Sequence, residues 1–477
     1  MPRLVGLDVG TSSVKAVAID PDGAVLQVAE RGYPLLAPRV GWSEQDPEQW
    51  WAAAAEVLDA CGAAEAAGIG LSGQMHGLVA LDDDDRPLRP AILWNDGRTE
   101  EQCREIEGAL GLDGCVALTG NRALAGCTAP TLLWLRDHEP HVYERIASIM
   151  LPKDYVRLRM SGEHATDAVD ASGTLLFDVA QRRWSGDVLG RLDIPREWLP
   201  PVHESAATVG VLEGKVPVAA GAGDQAAAAV AAGVIDSGER VSLALGTSGV
   251  VLAGLDSYVA HPEGRTHIYC HALPTAWNAI GVLLSAAGSL HWLRSVVGAG
   301  ESFDALLAEA AAWEPGVEGL RFAPQLAGER MPHADPQARG AFIGLALRHN
   351  RGALVRSVLE GVAFGLREEL ELVSGLSGRP VAARVSGGGI RSALWLEILA
   401  SVLGVPLEIC HVQEGAAYGA ALLGGVAAGF WADVPEAVDA CVRVVRSVEP
   451  RPEWIEPYEE QFAAFAGLYP ALRALQA

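Results

Sequence analysis

The sequence predicts an α/β protein built from two related halves, and three observations carry that reading. Short runs of Val, Leu and Ile, separated by Gly, Asp and Pro turn signals, alternate with stretches of helical periodicity. The pattern L-x-x-G-T-S-x-V stands at Leu7 to Val14 and recurs at Leu243 to Val250, 236 residues later, about half of a 477-residue chain. A chain of that length has room for two or three domains at about 150 residues each.

Taken in order, Leu4 to Val9, Val14 to Ile19 and Ala24 to Ala29 read as strands joined by tight turns at Gly10-Thr11-Ser12 and Asp20-Pro21-Asp22-Gly23. Asp46 offers an N-cap, Pro47 the first helical position and Gln49 the capping-box position, so a helix runs through Trp50 to Leu58. Strands follow at Gly68 to Ser72 and Leu78 to Leu81, the second ending in a solvated hairpin tip, Asp82 to Asp85. A boundary near Asp236-Ser237-Gly238 separates residues 1–236 from residues 237–477. The second half supplies strands at Arg240 to Leu245 and Gly249 to Leu252, then around His267 to His271 and Ala276 to Leu283. Helices follow at Ser285 to Val297 and Ser302 to Ala312. A long helix from Arg351 to about Val373, apolar every three or four residues, is expected between the domains. Val381 to Val385 is the last clear strand, and Ala393 to Leu403 is a helix stopped by Gly404. The uncharged run 415–432 carries five glycines and reads as a closely packed helix rather than a membrane span.

Composition removes several function classes. The net charge of −24 repels polyanions, so nucleic acid and anionic membrane are not expected partners. Any anionic ligand must be held by local amides, helix ends or a metal ion. Seven cysteines, an odd number without Cys-x-x-Cys spacing, fit a reducing, cytoplasmic compartment, and no leader segment precedes the first strand.

Four constellations could carry chemistry. Gly10-Thr11-Ser12 and Gly246-Thr247-Ser248 each set a flexible residue and two hydroxyls at a turn, where amides can converge on an anion; a lone copy is equally an ordinary hairpin, but two could grip one polyphosphate. Asp8 precedes the first turn where the second has Ala244, and a carboxylate beside phosphate implies a cation such as Mg²⁺. Lys15 either reaches a phosphate or sits on the surface. Asp224, between glycine and a run of alanines, is either an N-cap or a base able to take a proton from an alcohol. Gln74-Met75-His76-Gly77 and Trp94-Asn95-Asp96-Gly97-Arg98 mix polar groups with flat apolar surface, which suits a polyhydroxyl ligand, although a lone His76 is more often structural. Ser386-Gly387-Gly388-Gly389 would let adenine and ribose lie on bare backbone, or is a simple turn. His138 and His141 flank a proline that spoils a metal-binding helix face.

These segments, together with Leu151-Pro152-Lys153-Asp154-Tyr155 and Gly328-Glu329-Arg330, occur in the order found in the FGGY family of carbohydrate kinases, which the chain resembles over essentially its whole length. The resemblance implies two actin-like, ribonuclease H-like domains with ATP and a sugar in the cleft between them. It implies Asp224 as catalytic base, Met75 and His76 as sugar contacts with Trp94, Asn95, Asp96 and Gln225 beside them, and Asp8 as the acidic, Mg²⁺-associated position. Gly10, Thr11, Ser12, Lys15, Gly246, Thr247, Ser248, Gly387 and Gly388 are the implied nucleotide contacts. The implied reaction is ATP-dependent phosphorylation of a ketopentose, D-xylulose at O5, with L-ribulose or glycerol as alternative acceptors and an actin-like or chaperone-like ATPase as the competing class. Dimerisation is common among related kinases, though no surface stripe argues for it here. The chain departs from the pattern at Gln225, where the xylulose-acting members usually carry Asn.

Overall fold

A computed structural model describes residues 2–298 and 300–476. The elements that position the site are, in chain order, β1 (Leu4–Val9), β2 (Ser13–Ile19), β3 (Val25–Gly32), α1 (Pro47–Ala60), β4 (Gly68–Gly73), α2 (Pro152–Ser161), α3 (Ala168–Ser172), β5 (Thr208–Leu212), β6 (Val216–Ala219), β7 (Ala222–Gly223) and α4 (Asp224–Ala231). The second half adds β8 (Arg240–Leu245), β9 (Gly249–Leu255), β10 (His267–Cys270), β11 (Trp277–Leu283), α5 (Ala287–Val297), α6 (Phe303–Ala310), α7 (Arg351–Ser377), β12 (Ala382–Ser386), α8 (Ala393–Leu403), β13 (Leu407–Cys410), α9 (Gly415–Ala427) and β14 (Val444–Val448). Local signals place most of these. Asp46 caps α1 by accepting from the Glu48 amide at 3.0 Å. Gly404 closes α8 in the left-handed region, φ 67°.

The chain divides into two compact units, one of residues 1–235, 254–278 and 414–442, the other of residues 236–253, 279–413 and 443–477. The first break between the units falls at 235/236, and two later segments, 254–278 and 414–442, pack with the first unit. The sheet of the first unit runs β5-β6-β4-β1-β2-β3, with β7 also paired to β4. β1 is antiparallel to β2 and parallel to β4, and β4 is parallel to β6. In the second unit the order β11-β9-β8-β12-β13-β14 repeats this plan, with β8 antiparallel to β9 and parallel to β12. The repeated octapeptide therefore marks a repeated topology.

Trp50, Ala54, Val57 and Leu58 of α1 cover one face of the first sheet with Tyr155 and Val156 of α2. On this sheet α9 packs closely, because Gly6 and Gly70 present only hydrogen to it: a methyl at either would stand 1.9 Å from the Ala417 carbonyl oxygen or 1.7 Å from that of Ala420. The expectation that 415–432 is a packed helix holds for 415–427. The long helix α7, expected between domains, packs within the second unit against α6, α8 and the strand Arg321–Ala323. Asp82 to Asp85 form an exposed turn, with the Asp82 carboxylate accepting from the Asp84 and Arg86 amides. Among the described residues, no helix is long and apolar enough to cross a membrane. All seven cysteines are free thiols.

Candidate active site

Three parallel strands of the first unit end side by side. Val9, Gly73 and Gly223 are register partners across β1, β4 and β7, so Gly10, Gln74 and Asp224 leave the sheet at one level. Carboxyl ends of strands are where open α/β sheets bind ligands. Here they deliver the first Gly-Thr-Ser turn, the Gln74–Gly77 segment and the N-terminus of α4 to a common place.

The N-cap alternative for Asp224 fails: Gly223 occupies that position and makes no side-chain cap, leaving Asp224 as the first helical residue. Burial, with the Asp8 charge adding to it, pushes the Asp224 carboxyl up to about 7, while the amide and side chain of Gln225 pull the other way. Such a carboxyl is poised to exchange a proton near neutral pH. Asp8, one register position before the strand ends, is raised to about 6, chiefly by burial and against the pull of Ser72 and Lys15. Its Oδ1 is buried without a hydrogen-bond partner, so the donor set fits an added hard cation, which would supply the missing charge.

The first turn is held by side chains that the motif does not contain. Gly10 N–H donates to the Ser13 carbonyl at 3.0 Å. Gln45 Nε2 donates to the Thr11 carbonyl at 2.6 Å, while Gln45 Oε1 accepts from Trp50 Nε1 and Gln74 Nε2. Thr11 Oγ1 donates to Gln74 Oε1 at 3.1 Å and accepts from Trp94 Nε1 at 3.0 Å. The Tyr33 hydroxyl donates to the Gly10 carbonyl. Ser12 stays exposed at the tip. Lys15, opposite Asp8 in the hairpin, pairs with Glu30 at 3.6 Å.

His76 has φ 71°, unusual for a residue with a side chain. Two bonds hold it there: Thr128 Oγ1 donates to its carbonyl at 2.8 Å, and its Nδ1 lies 2.7 Å from the Gly173 carbonyl. A carbonyl only accepts, so Nδ1 carries the proton in that bond. Tyr269 lies 6.0 Å from the His76 ring and stacks on His267 at 5.3 Å, and His267 Nδ1 bonds Asn121 Oδ1 at 2.9 Å. These aromatic neighbours come from β10, far away in sequence. Trp94 joins the turn as described and Asn95 is exposed. Asp96, an expected sugar contact, gives its oxygens to Arg98 Nε and Nη2 at 2.8 and 2.7 Å and to the Ser43 amide at 2.6 Å. Arg98 also reaches Glu44 and lies 3.5 Å over the Trp42 ring. The Asp96 carboxylate therefore fixes its own loop. His138 stacks on Trp134 at 4.9 Å, a packing role.

In the second unit a cavity of about 660 Å³ opens beside the other turn, lined by Gly246, Thr247, Leu290, His291, Gly388 and Trp395 among others. Gly387 has φ 93°, and a methyl there would meet the Leu245 carbonyl oxygen at 2.6 Å. At Gly388 a methyl would meet nothing within 4 Å, so bare backbone faces the open space. The Gly246 and Thr247 carbonyls are tied to the amides of Ala286, Ala287 and Gly288 at the start of α5, which fixes the turn beneath Ser248.

A duplicated α/β sheet, with an activatable carboxylate in one unit and a cavity on glycine backbone in the other, is the equipment of a phosphotransferase. Known proteins agree. Residues 3–232 match the N-terminal domain of the FGGY family of carbohydrate kinases and residues 241–428 its C-terminal domain. The xylulose kinase of Escherichia coli is 40% identical over 89% of this chain and 90% of its own length, and that of Klebsiella pneumoniae 38% over 99% of both. A crystal structure of a xyloylose kinase from Brucella ovis superposes with a TM-score of 0.92 at 39% identity, covering 99% of this chain and all of the other. The chain belongs to the FGGY family of carbohydrate kinases. It is a phosphotransferase with an alcohol acceptor and the two-domain α/β fold of that family, and family membership implies ATP as donor together with a metal ion.

Proposed function

We propose that the protein transfers the γ-phosphoryl group of ATP to O5 of D-xylulose, giving D-xylulose 5-phosphate and ADP. The observation that carries the reading is Asp224: a carboxyl raised to about 7 at a strand end, uncommitted as a cap, level with the sugar segment and the first turn. The substrate's name rests on the xylulose kinases that share 38–40% of their residues with this chain.

The chain's own residues account for the acceptor side. The hydroxyl proton passes to the Asp224 carboxylate as the sugar oxygen bonds to phosphorus and the bond to the ADP oxygen breaks. His76 meets the sugar's polar side, while Met75 and Trp94 offer apolar surface to its C–H face. Phosphoryl transfer needs positioning and charge neutralisation more than covalent chemistry. Exposed Thr247 and the glycine backbone at 387–388 belong to the nucleotide side. Asp8 is the residue that would hold Mg²⁺, whose contribution when bound is to offset phosphate charge. Free cysteines and the lack of a spanning helix among the described residues are consistent with a cytoplasmic enzyme.

The test is ADP release from Mg·ATP with D-xylulose, L-ribulose, D-ribulose, glycerol, gluconate or no sugar, with Asp224→Ala alongside. Stimulation by D-xylulose that the variant loses is the expected result. Stimulation by another polyol alone would overturn the substrate and keep the reaction.

A further inference from the structure

Beneath the three strand ends lies a group of charges that the proposed reaction does not use. Lys153 Nζ, fully buried, is 2.6 Å from Asp154 Oδ1, 2.5 Å from Asp167 Oδ2 and 2.8 Å from Asp170 Oδ2. Arg157, also buried, reaches Asp154 at 2.9 Å and donates to the Ala220 carbonyl at 2.7 Å. Among the described residues, Asp154, Asp167 and Asp170 are a grouping whose carboxylates lie within 4.8 Å of one another, as a metal site would require. The ammonium already stands in the middle, so the geometry describes an internal ion cluster.

Its surroundings give the cluster a task. A methyl placed on Gly73, the last residue of β4, would meet Lys153 Cβ at 3.1 Å. One on Gly223, which precedes Asp224, would meet Met75 Cγ at 2.7 Å, Met75 Sδ at 2.8 Å and Asp170 Oδ1 at 3.1 Å. One on Gly173, just past α3, would meet the His76 ring at 2.7 Å and Met75 Cε at 3.1 Å. Neither Gly173, with φ −77°, nor Gly223, with φ −56°, needs glycine for its backbone, so the need is for room. Met75 is thus wedged between the residue before the base and the residue that holds His76. α3, capped by Asp167 through the Val169 and Asp170 amides, is the strut between them. Ser172 Oγ also accepts from the Cys270 amide at 3.0 Å, which ties the strand carrying Tyr269 to the same strut.

We propose that Lys153 is a positioning residue: gripping Asp154, Asp167 and Asp170, it sets, through α3, Gly223 and Met75, where Asp224 and His76 meet the acceptor sugar. This rests on the reading of Asp224 as the base. Three carboxylates face two buried cations, and burial raises Asp170 well above the ordinary carboxylate range against the pull of Lys153.

The test compares Asp170→Asn, which keeps the volume against Gly223, and Lys153→Met with the parent, reading kcat, KM for each substrate, the pH profile and the melting temperature. For Asp170→Asn the expected result is a kcat lower by about 10- to 100-fold, a displaced pH midpoint of kcat and a KM for ATP within about twofold. Lys153→Met moves kcat further in the same direction; should it fail to fold, Asp170→Asn decides. A folded Asp170→Asn with kcat and pH midpoint unchanged overturns the proposal. So does a loss of kcat that only follows the melting temperature with the midpoint fixed. Asp224→Asn, assayed alongside, separates the two readings, since full turnover in that variant refutes the base itself whatever Asp170→Asn does.

Discussion

The two Gly-Thr-Ser turns sit at equivalent places in two sheets of the same strand order, yet their settings have diverged. The first follows Asp8 and is laced to Gln45, Gln74 and Trp94. The second follows Ala244, is fixed by backbone bonds to α5 and borders a cavity floored by Gly388. A duplicated scaffold supplied one geometry, and side chains then made the first copy chemical and the second receptive. Asp8 against Ala244 is the difference in miniature, because only the first copy carries a charge able to attract a cation.

Substitutions can break this comparison, beginning with the largest effect. Asp224→Ala removes the proton acceptor and should lower kcat by about a thousandfold, with nucleotide affinity by calorimetry within about twofold; equal losses in both would mean that the halves are not specialised. Asp8→Asn should cost about a hundredfold in kcat and raise the Mg²⁺ concentration that gives half-maximal rate. Gly388→Leu projects into the second cavity and should raise the KM for ATP about tenfold while leaving that for the sugar in place. A rise in sugar KM instead would move the cavity's ligand.

The smallest effect is on stability, and its sign is specific. The folded-state carboxyl of Asp224 lies at about 7 against about 3.9 for an unburied aspartate, so the native state holds its proton where the unfolded chain has lost it. The cost of burying the charge is absent below about pH 4 and grows as pH rises through 7. Asp224→Asn should therefore be more stable than the parent at pH 8, by about 1–3 kcal/mol, and equal to it near pH 4. Parent kcat should rise with pH through about 7 for the same reason. Denaturant melts at the two pH values and a rate profile check both.

Much of this was legible in the chain itself. Strand β1, the cap at Asp46, the stop at Gly404 and the paired turns each rest on neighbours a few residues apart, and the structure has them where the pattern puts them. What the pattern misses is set by distant partners. That Arg98 and the Ser43 amide bond the Asp96 oxygens is one such case. Tyr269 and His267 come to His76 from another stretch of chain. Lys153 sat in a recognisable segment, but nothing local reveals three carboxylates around it, two of them on another turn of chain. The return of 254–278 and 414–442 to the first unit has no local signature either.

That return governs the order in which the protein can be made. The sheet built from the first 223 residues has a face fitted to α9, where Gly6 and Gly70 leave backbone bare for a helix ending at Ala427. A ribosome adding about 5–20 residues per second takes on the order of ten seconds or more to travel from one to the other. Throughout that interval the earliest strands wait without their cover, so the first unit to be synthesised is completed only when nearly all of the chain has emerged.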